Sequence, residues 1–142
     1  MRKNVELVIS GLHRENGIGH ANVKTEVPAL YFRKNGSHYL IYQEAAEGFD
    51  RKTKTRIKFA ENRLELVRQG PLATRMTFEK HKSHNISYNT PYGVFHFVAV
   101  TKQIRVDEAK DCIKVRVGYE LESEGSKVSD SSIHICVKEK NA

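Results

Sequence analysis

The chain contains no tryptophan, two cysteines and three prolines among 142 residues. Two cysteines cannot staple a fold of this size, so its core has to come from hydrophobic burial. No apolar run reaches the length of a membrane-spanning helix. The first ten residues have no hydrophobic signal region; they already alternate, with Val5, Leu7 and Ile9 against Glu6 and Val8. These absences predict a cytoplasmic protein with no membrane partner. Gly-x-Ser-x-Gly, Gly-x-x-x-x-Gly-Lys and Cys-x-x-Cys are also missing, which removes the nucleophile elbow, the phosphate loop and the redox dithiol motif. No cofactor is expected, and the sequence names no reaction.

What is present is a soluble composition, with 39% hydrophobic and 29% charged residues. It fits one domain over residues 1–142, long enough to bury a core. Lys+Arg (24) exceed Asp+Glu (17), for a net charge of +7. That excess is a hint of polyanion affinity, and it is equally the mark of a small domain kept in solution by its charge.

Period-two patterning runs the length of the chain. Ile113-Lys114-Val115-Arg116-Val117 shows it most clearly, with three β-branched residues on one face and two cations on the other. Similar segments are expected over Asn4 to Arg14, His20 to Arg33, Ser37 to Glu44, Thr53 to Ala60, Arg63 to Gln69 and Thr74 to Lys80. Four more follow over Asn85 to Thr90, Val94 to Val106, Cys112 to Ser123 and Lys127 to Lys138. Asn35-Gly36 is a hairpin signal of the type I′ kind. Residues Ala45 to Asp50 are the one stretch that admits a helical turn, and Ser129 to Ser132 suggests a bulge. Pro28 lacks a donor, so its strand should be unpaired or bulged there.

About ten strands result. Those of nearly twelve residues would span about 40 Å at ~3.3 Å per residue, too long for a flat sheet over a small core. They must coil, and mid-strand Gly11 and Gly118 allow bending. The fold class expected is therefore all-β: an antiparallel, up-and-down closed barrel of about 8–10 strands.

Within that frame, Arg68-Gln69-Gly70-Pro71, Met76-Thr77-Phe78, Thr90-Pro91-Tyr92-Gly93 and Thr101 resemble the YwiB-like family of small bacterial proteins. The likeness covers essentially the whole chain and extends to the late strand that carries Tyr119. The resemblance implies a calycin-like, or lipocalin-like, β-barrel in a bacterial cytoplasmic setting, with no established activity to transfer. The Gly-x-Trp of secreted lipocalins is absent, so Arg116 has no aromatic partner of that kind.

Arg68 shares the parity of Leu64 and Leu66 and should point into the barrel. A buried cation needs a partner, and Glu44, on the parity of Leu40 and Tyr42, is a plausible one. Arg68 then either offers its fork to a carboxylate or phosphate, with tyrosine hydroxyls nearby, or pairs with Glu44 to plug a barrel end. The expected ligand residues are Arg68, Tyr42, Glu44, Tyr92, Thr101 and Tyr119, holding a small, partly apolar, anionic molecule at the barrel mouth. No catalytic residue is assigned.

The alternative is a nucleic-acid or other polyanion interface on Lys54, Arg56 and Lys58, extended by Arg51 and Lys52. The alternate-residue interval suits successive phosphates, but that strand face carries no stacking ring of its own. His81-x-x-His84 looks like half a metal site, yet His38 and His96 are not spaced to complete it, so no metal is expected. The acidic residues Asp107, Glu108 and Asp111, and Glu120, Glu122 and Glu124, lack calcium-loop spacing. They would balance the basic stripe, with a homo-oligomer contact as one way of doing so. Cys112 and Cys136 both fall on the polar face and are read as free thiols, although neighbouring strands would permit a bridge.

Overall fold

Alternating side chains in the sequence become the two faces of one rolled sheet in the computed structural model. It describes residues 3–15, 18–45, 52–70, 73–90 and 93–139, apart from the side chains of 12–15, 18–23, 45 and 88–90. The strands are β1 (Lys3–Glu15), β2 (Ile18–Lys34), β3 (Ser37–Ala45), β4 (Lys52–Ala60) and β5 (Arg63–Gln69). They continue as β6 (Thr74–Glu79), β7 (Ser83–Thr90), β8 (Gly93–Glu108), β9 (Cys112–Ser123) and β10 (Ser126–Glu139). Each strand pairs antiparallel with the next in sequence, and β10 returns to β1, so the sheet closes. This is the up-and-down barrel that the short connections call for. Among the described residues there are no helices. Of Ala45 to Asp50, where a helical turn was admitted, Ala45 ends β3 and residues 46–50 lie outside them.

Parity explains which residues are inside. On β4, Thr53, Thr55, Ile57 and Phe59 are buried while Lys52, Lys54 and Arg56 are exposed. Leu64 and Leu66 on β5 meet Phe78 and Met76 on β6 across the ladder. Ile57 meets both Leu40 and Leu66. Removing one such side chain from water contributes about 1.5–3 kcal/mol, and the inner rows repeat it around the barrel.

Closure bends the long strands at register shifts. These lie at His13/Glu15, Thr101/Gln103 and Lys127/Ser129. The last sits at the start of the Ser129 to Ser132 stretch, where Ser129 and Ser131 turn inward and bring their hydroxyls within 3.2 Å of each other. At Thr101 the shift exchanges the inward parity from odd to even, so Ala99 and Thr101 are buried and then Ile104. Pro28 lies on the part of β2 that precedes the first β3 pair, Leu30↔Ile41. Its missing donor therefore disturbs no ladder on that side.

Candidate functional site

Two ends of the barrel carry polar side chains on the inner face. At the first end one inner row runs across four strands, through the register pairs Tyr42↔Thr55, Thr55↔Arg68 and Arg68↔Thr74. Glu44 and Thr53 pair one step further out. Arg68 is half-buried, as a long side chain is when its stem packs on apolar surface and its charged head stays wet. No ion pair or hydrogen bond joins it to Glu44 among the described residues. Both act instead on the buried Tyr42 phenol, whose pKa is raised by burial first and by the Glu44 charge next, with Arg68 pulling it back. The Thr55 hydroxyl is fully buried and, like Arg68, reaches toward that phenol and favours its charged form, but it makes no well-formed hydrogen bond among the described residues. Thr74 is satisfied by donating to the Ser87 carbonyl at 2.6 Å. This end thus holds a cation, a carboxylate, a phenol and one loosely held hydroxyl around an apolar wall.

Thr101 and Tyr119 stand elsewhere. They face each other across β8 and β9, and the Tyr119 ring packs against Phe78 at 4.7 Å. The row through Arg68 meets β8 at Phe95, by way of Thr74 and Tyr88. Thr101 lies six residues further along that strand, a rise of about 20 Å. Its backbone accepts from the His81 amide and donates to Lys82, so the turn after β6 docks there. Tyr92 lies outside the described residues.

The opposite end holds an arrangement that the sequence reading missed. Tyr31 and His38 approach at 2.7 Å through the phenol and Nδ1. His38 Nε2 lies 2.8 Å from the Glu108 carboxylate, and Arg33 reaches the same oxygen at 3.0 Å. The His38 ring stacks on Phe59 with centroids 4.6 Å apart. Burial, then the Arg33 charge, hold the imidazole pKa below its ordinary value, with Glu108 opposing. Burial raises the Tyr31 pKa. A cleft of about 230 Å³ opens beside it, lined by Tyr31, Arg33 and Glu108 together with Lys3, Val5, Ile113 and others. Parity was the available signal, because His38 shares the face of Leu40 and Tyr42. The pairing with Glu108 had no such signal.

On the outer face, Lys54, Arg56 and Lys58 project in a line, and Lys52 is exposed beside them; Arg51 lies outside the described residues. The absence of a ring holds for that strand but not for the sheet. Tyr39 of β3 pairs with Lys58 and lies 5.6 Å from its ammonium, while Phe32 of β2 stacks on the same ring at 4.8 Å. A cleft of about 440 Å³ lies between Lys54, Arg56 and Arg75. Of the acidic residues, Glu108 is used as above, Glu120 reaches toward Lys127 and Lys102, and Asp107 pairs with Arg105. His84 is spent on Glu79 at 3.0 Å and His81 forms a turn at φ 64°. No metal-ligand cluster occurs among the described residues, nor does any helix long and apolar enough to cross a membrane.

Comparison with known proteins agrees with this architecture. Residues 8–135 match the family described as a domain of unknown function, DUF1934. The barrel is similar to the crystal structure of the ywiB protein from Bacillus subtilis, with a TM-score of 0.83 at 18% identity over 99% of this chain and 94% of that one. No curated protein matches. At that identity the likeness establishes the fold alone; with the family match, it places the chain in the YwiB-like family, DUF1934, as an all-β closed barrel of ten antiparallel strands.

Proposed function

We propose that this barrel is a non-enzymatic binder of a small, partly apolar, anionic molecule at the end where Tyr42, Glu44, Thr55 and Arg68 converge. The observation that carries the reading is the Thr55 hydroxyl, fully buried with no well-formed hydrogen bond among the described residues and only a loose contact to the Tyr42 phenol, on the strand position opposite half-buried Arg68. A buried hydroxyl left unpaired costs about 1–3 kcal/mol, so a ligand oxygen or nitrogen arriving there recovers that cost. Arg68 supplies the charge preference and the planar fork, Tyr42 a donor, and the Leu40, Ile57 and Leu66 wall the apolar contact. Glu44 favours ligands that present a donor as well as an anionic group. Tyr92, outside the described residues, is kept as a proposed contact at the barrel mouth. The experiment is a thermal-shift screen of small carboxylates and phosphates. A fitting ligand raises the melting temperature of the native chain, and Arg68→Ala removes that gain. A ligand-induced shift that survives Arg68→Ala overturns the assignment.

A second reading is favoured by the outer face, where Glu65 is shared by Arg56, Arg63 and Arg75, with Glu79 also holding Arg63. Lys54 and Lys58 add charge that Glu65 does not meet. On this reading Lys52, Lys54, Arg56, Lys58 and Arg51 track a polyanion backbone, with Tyr39 beside them. Its sign is retention on heparin that falls steeply with salt and collapses in the triple variant Lys54→Ala, Arg56→Ala, Lys58→Ala.

A further inference from the structure

Cys112 and Cys136 belong to neighbouring strands, β9 and β10, in a diagonal relation. Cys112 is opposite Lys138 and Cys136 opposite Lys114. Both thiols therefore stand on the same outer face, and their sulfur atoms are 3.4 Å apart. Both residues are half-buried and free. Each is reached from a different cleft: Cys136 borders one of about 400 Å³ on the outer face, and Cys112 borders the one of about 230 Å³ at the barrel end. Twenty-four positions separate them in sequence, so their closeness is a product of the fold.

We propose that Cys112 and Cys136 form a reversible thiol–disulfide site that takes an anionic low-molecular-weight disulfide as its oxidant. Sulfurs at this separation need only a small rotation about the Cα–Cβ bonds and a slight approach of the two strands to bond. Diagonal cross-strand neighbours are spaced more widely than the relaxed Cβ separation of a disulfide. The bridge is consequently strained, and a strained bridge is readily reduced, which makes it a reversible site and not a structural staple. Lys114 and Lys138 flank the pair and attract an anionic disulfide; burial and the neighbouring Cys112 thiol hold the Cys136 thiol above its ordinary pKa, and the two lysines pull it back only in part.

The chemistry proceeds in two exchanges. One cysteine loses its proton to solvent, and its thiolate attacks the small disulfide. The incoming S–S bond breaks, a mixed disulfide forms, and one small thiolate leaves and takes up a proton. The second cysteine, deprotonated in turn, attacks the protein-side sulfur of the mixed disulfide and expels the second small thiol. Two protein thiols are oxidised to one disulfide, and one small disulfide is reduced to two thiols.

The test incubates the reduced, full-length native chain with glutathione disulfide, alkylates it in denaturant and measures intact mass and peptides. The expected product has lost two hydrogens, takes no alkyl group, carries no glutathione and yields a Cys112 peptide joined to the Cys136 peptide. Excess reduced glutathione restores two alkylatable thiols. Cys112→Ser and Cys136→Ser each stop at a single glutathione adduct. Two adducts on the native chain, disulfide-linked dimers, or two thiols that stay alkylatable each overturn the proposal, and the native chain alone decides between these results.

Discussion

The Tyr31 phenol and Nδ1 of His38 lie 2.7 Å apart, and the phenol is the donor when the neutral ring carries its own hydrogen on Nε2. Because the Glu108 carboxylate can only accept, the remaining imidazole hydrogen sits on Nε2 and points at that carboxylate, 2.8 Å away. The neutral ring is thereby fully engaged, and Arg33 at 3.3 Å opposes adding a second proton. Folding therefore lowers the proton affinity of His38. The unfolded chain binds more protons than the native one below the ordinary histidine pKa of about 6.5, so stability falls as pH drops through that value and levels off only below the native pKa. Urea unfolding at about pH 8 and about pH 5.5 measures this. His38→Phe keeps the stacking on Phe59 and should flatten the difference, at a cost of about 1–3 kcal/mol at the higher pH because Tyr31 loses its acceptor. An equally steep slope in that variant would assign the pH response to other groups.

Thr55→Val separates the structural role of its position from the ligand role. The hydroxyl has no well-formed hydrogen bond among the described residues and only a loose contact to Tyr42, so replacing it with a methyl should leave the free protein unchanged or more stable by about 1 kcal/mol. The same change should abolish most of the ligand-induced rise in melting temperature. A variant that is destabilised without ligand shows instead that the hydroxyl is engaged within the fold. One that keeps the full ligand effect removes Thr55 from the site.

Gly70 closes the connection behind Arg68 with φ +125°, and a Cβ there would come within 3.1 Å of the Lys52 carbonyl and 3.2 Å of Thr53 Cα. Both are backbone atoms of the β4 start and cannot step aside cheaply. Gly36, in the Asn35-Gly36 hairpin, has φ +81° but open space around it. Gly36→Ala should cost about 1–2 kcal/mol for the left-handed backbone alone. Gly70→Ala should cost more and should also weaken ligand binding, since it displaces Lys52–Thr53 against the Arg68 row. Denaturant midpoints of the two variants give the comparison; equal losses would mean that the close approach at Gly70 is relieved by local movement.

Most of the barrel was legible because its signal is local. Ile57 and Phe59 against Lys54 and Arg56 give the burial of β4 from four residues, and Asn35-Gly36 gives its hairpin from two. The ends of Arg63–Gln69 and Cys112–Ser123 were readable for the same reason. The site was less legible because it depends on register around the cylinder. Arg68 meets Thr55 and Thr74, and Glu44 meets Thr53, only once three turns have fixed the ladders. Thr101 and Tyr119 share the inward parity of Arg68 but stand at another level, since strand parity carries no height. Glu108 comes to His38 from the far end of the chain, beyond a bulge that resets the parity of β8. Tyr39 joined the basic face from the next strand, which reading β4 alone could not show.

Glu65 provides the sharpest test of the outer face. Its carboxylate lies 3.2 Å from Arg56, 3.5 Å from Arg63 and 3.4 Å from Arg75. Burial alone would raise its pKa, but Arg75, Arg63 and Arg56 together hold it below the ordinary value. The stability it contributes is therefore present above the unfolded carboxylate range and is lost as pH falls through the lower native value. Glu65→Gln removes the anion and keeps the shape. Arg56 and Arg75 then lose this carboxylate, while Arg63 keeps Glu79 at 3.0 Å, and the added repulsion should cost about 1 kcal/mol at low ionic strength and less in salt. If the face serves a polyanion, the freed arginines should shift heparin elution to higher salt, opposite in sign to the loss from the triple alanine variant. An elution position that does not move in Glu65→Gln would mean that the three arginines are not where a polyanion binds, and would leave the barrel end as the site to pursue.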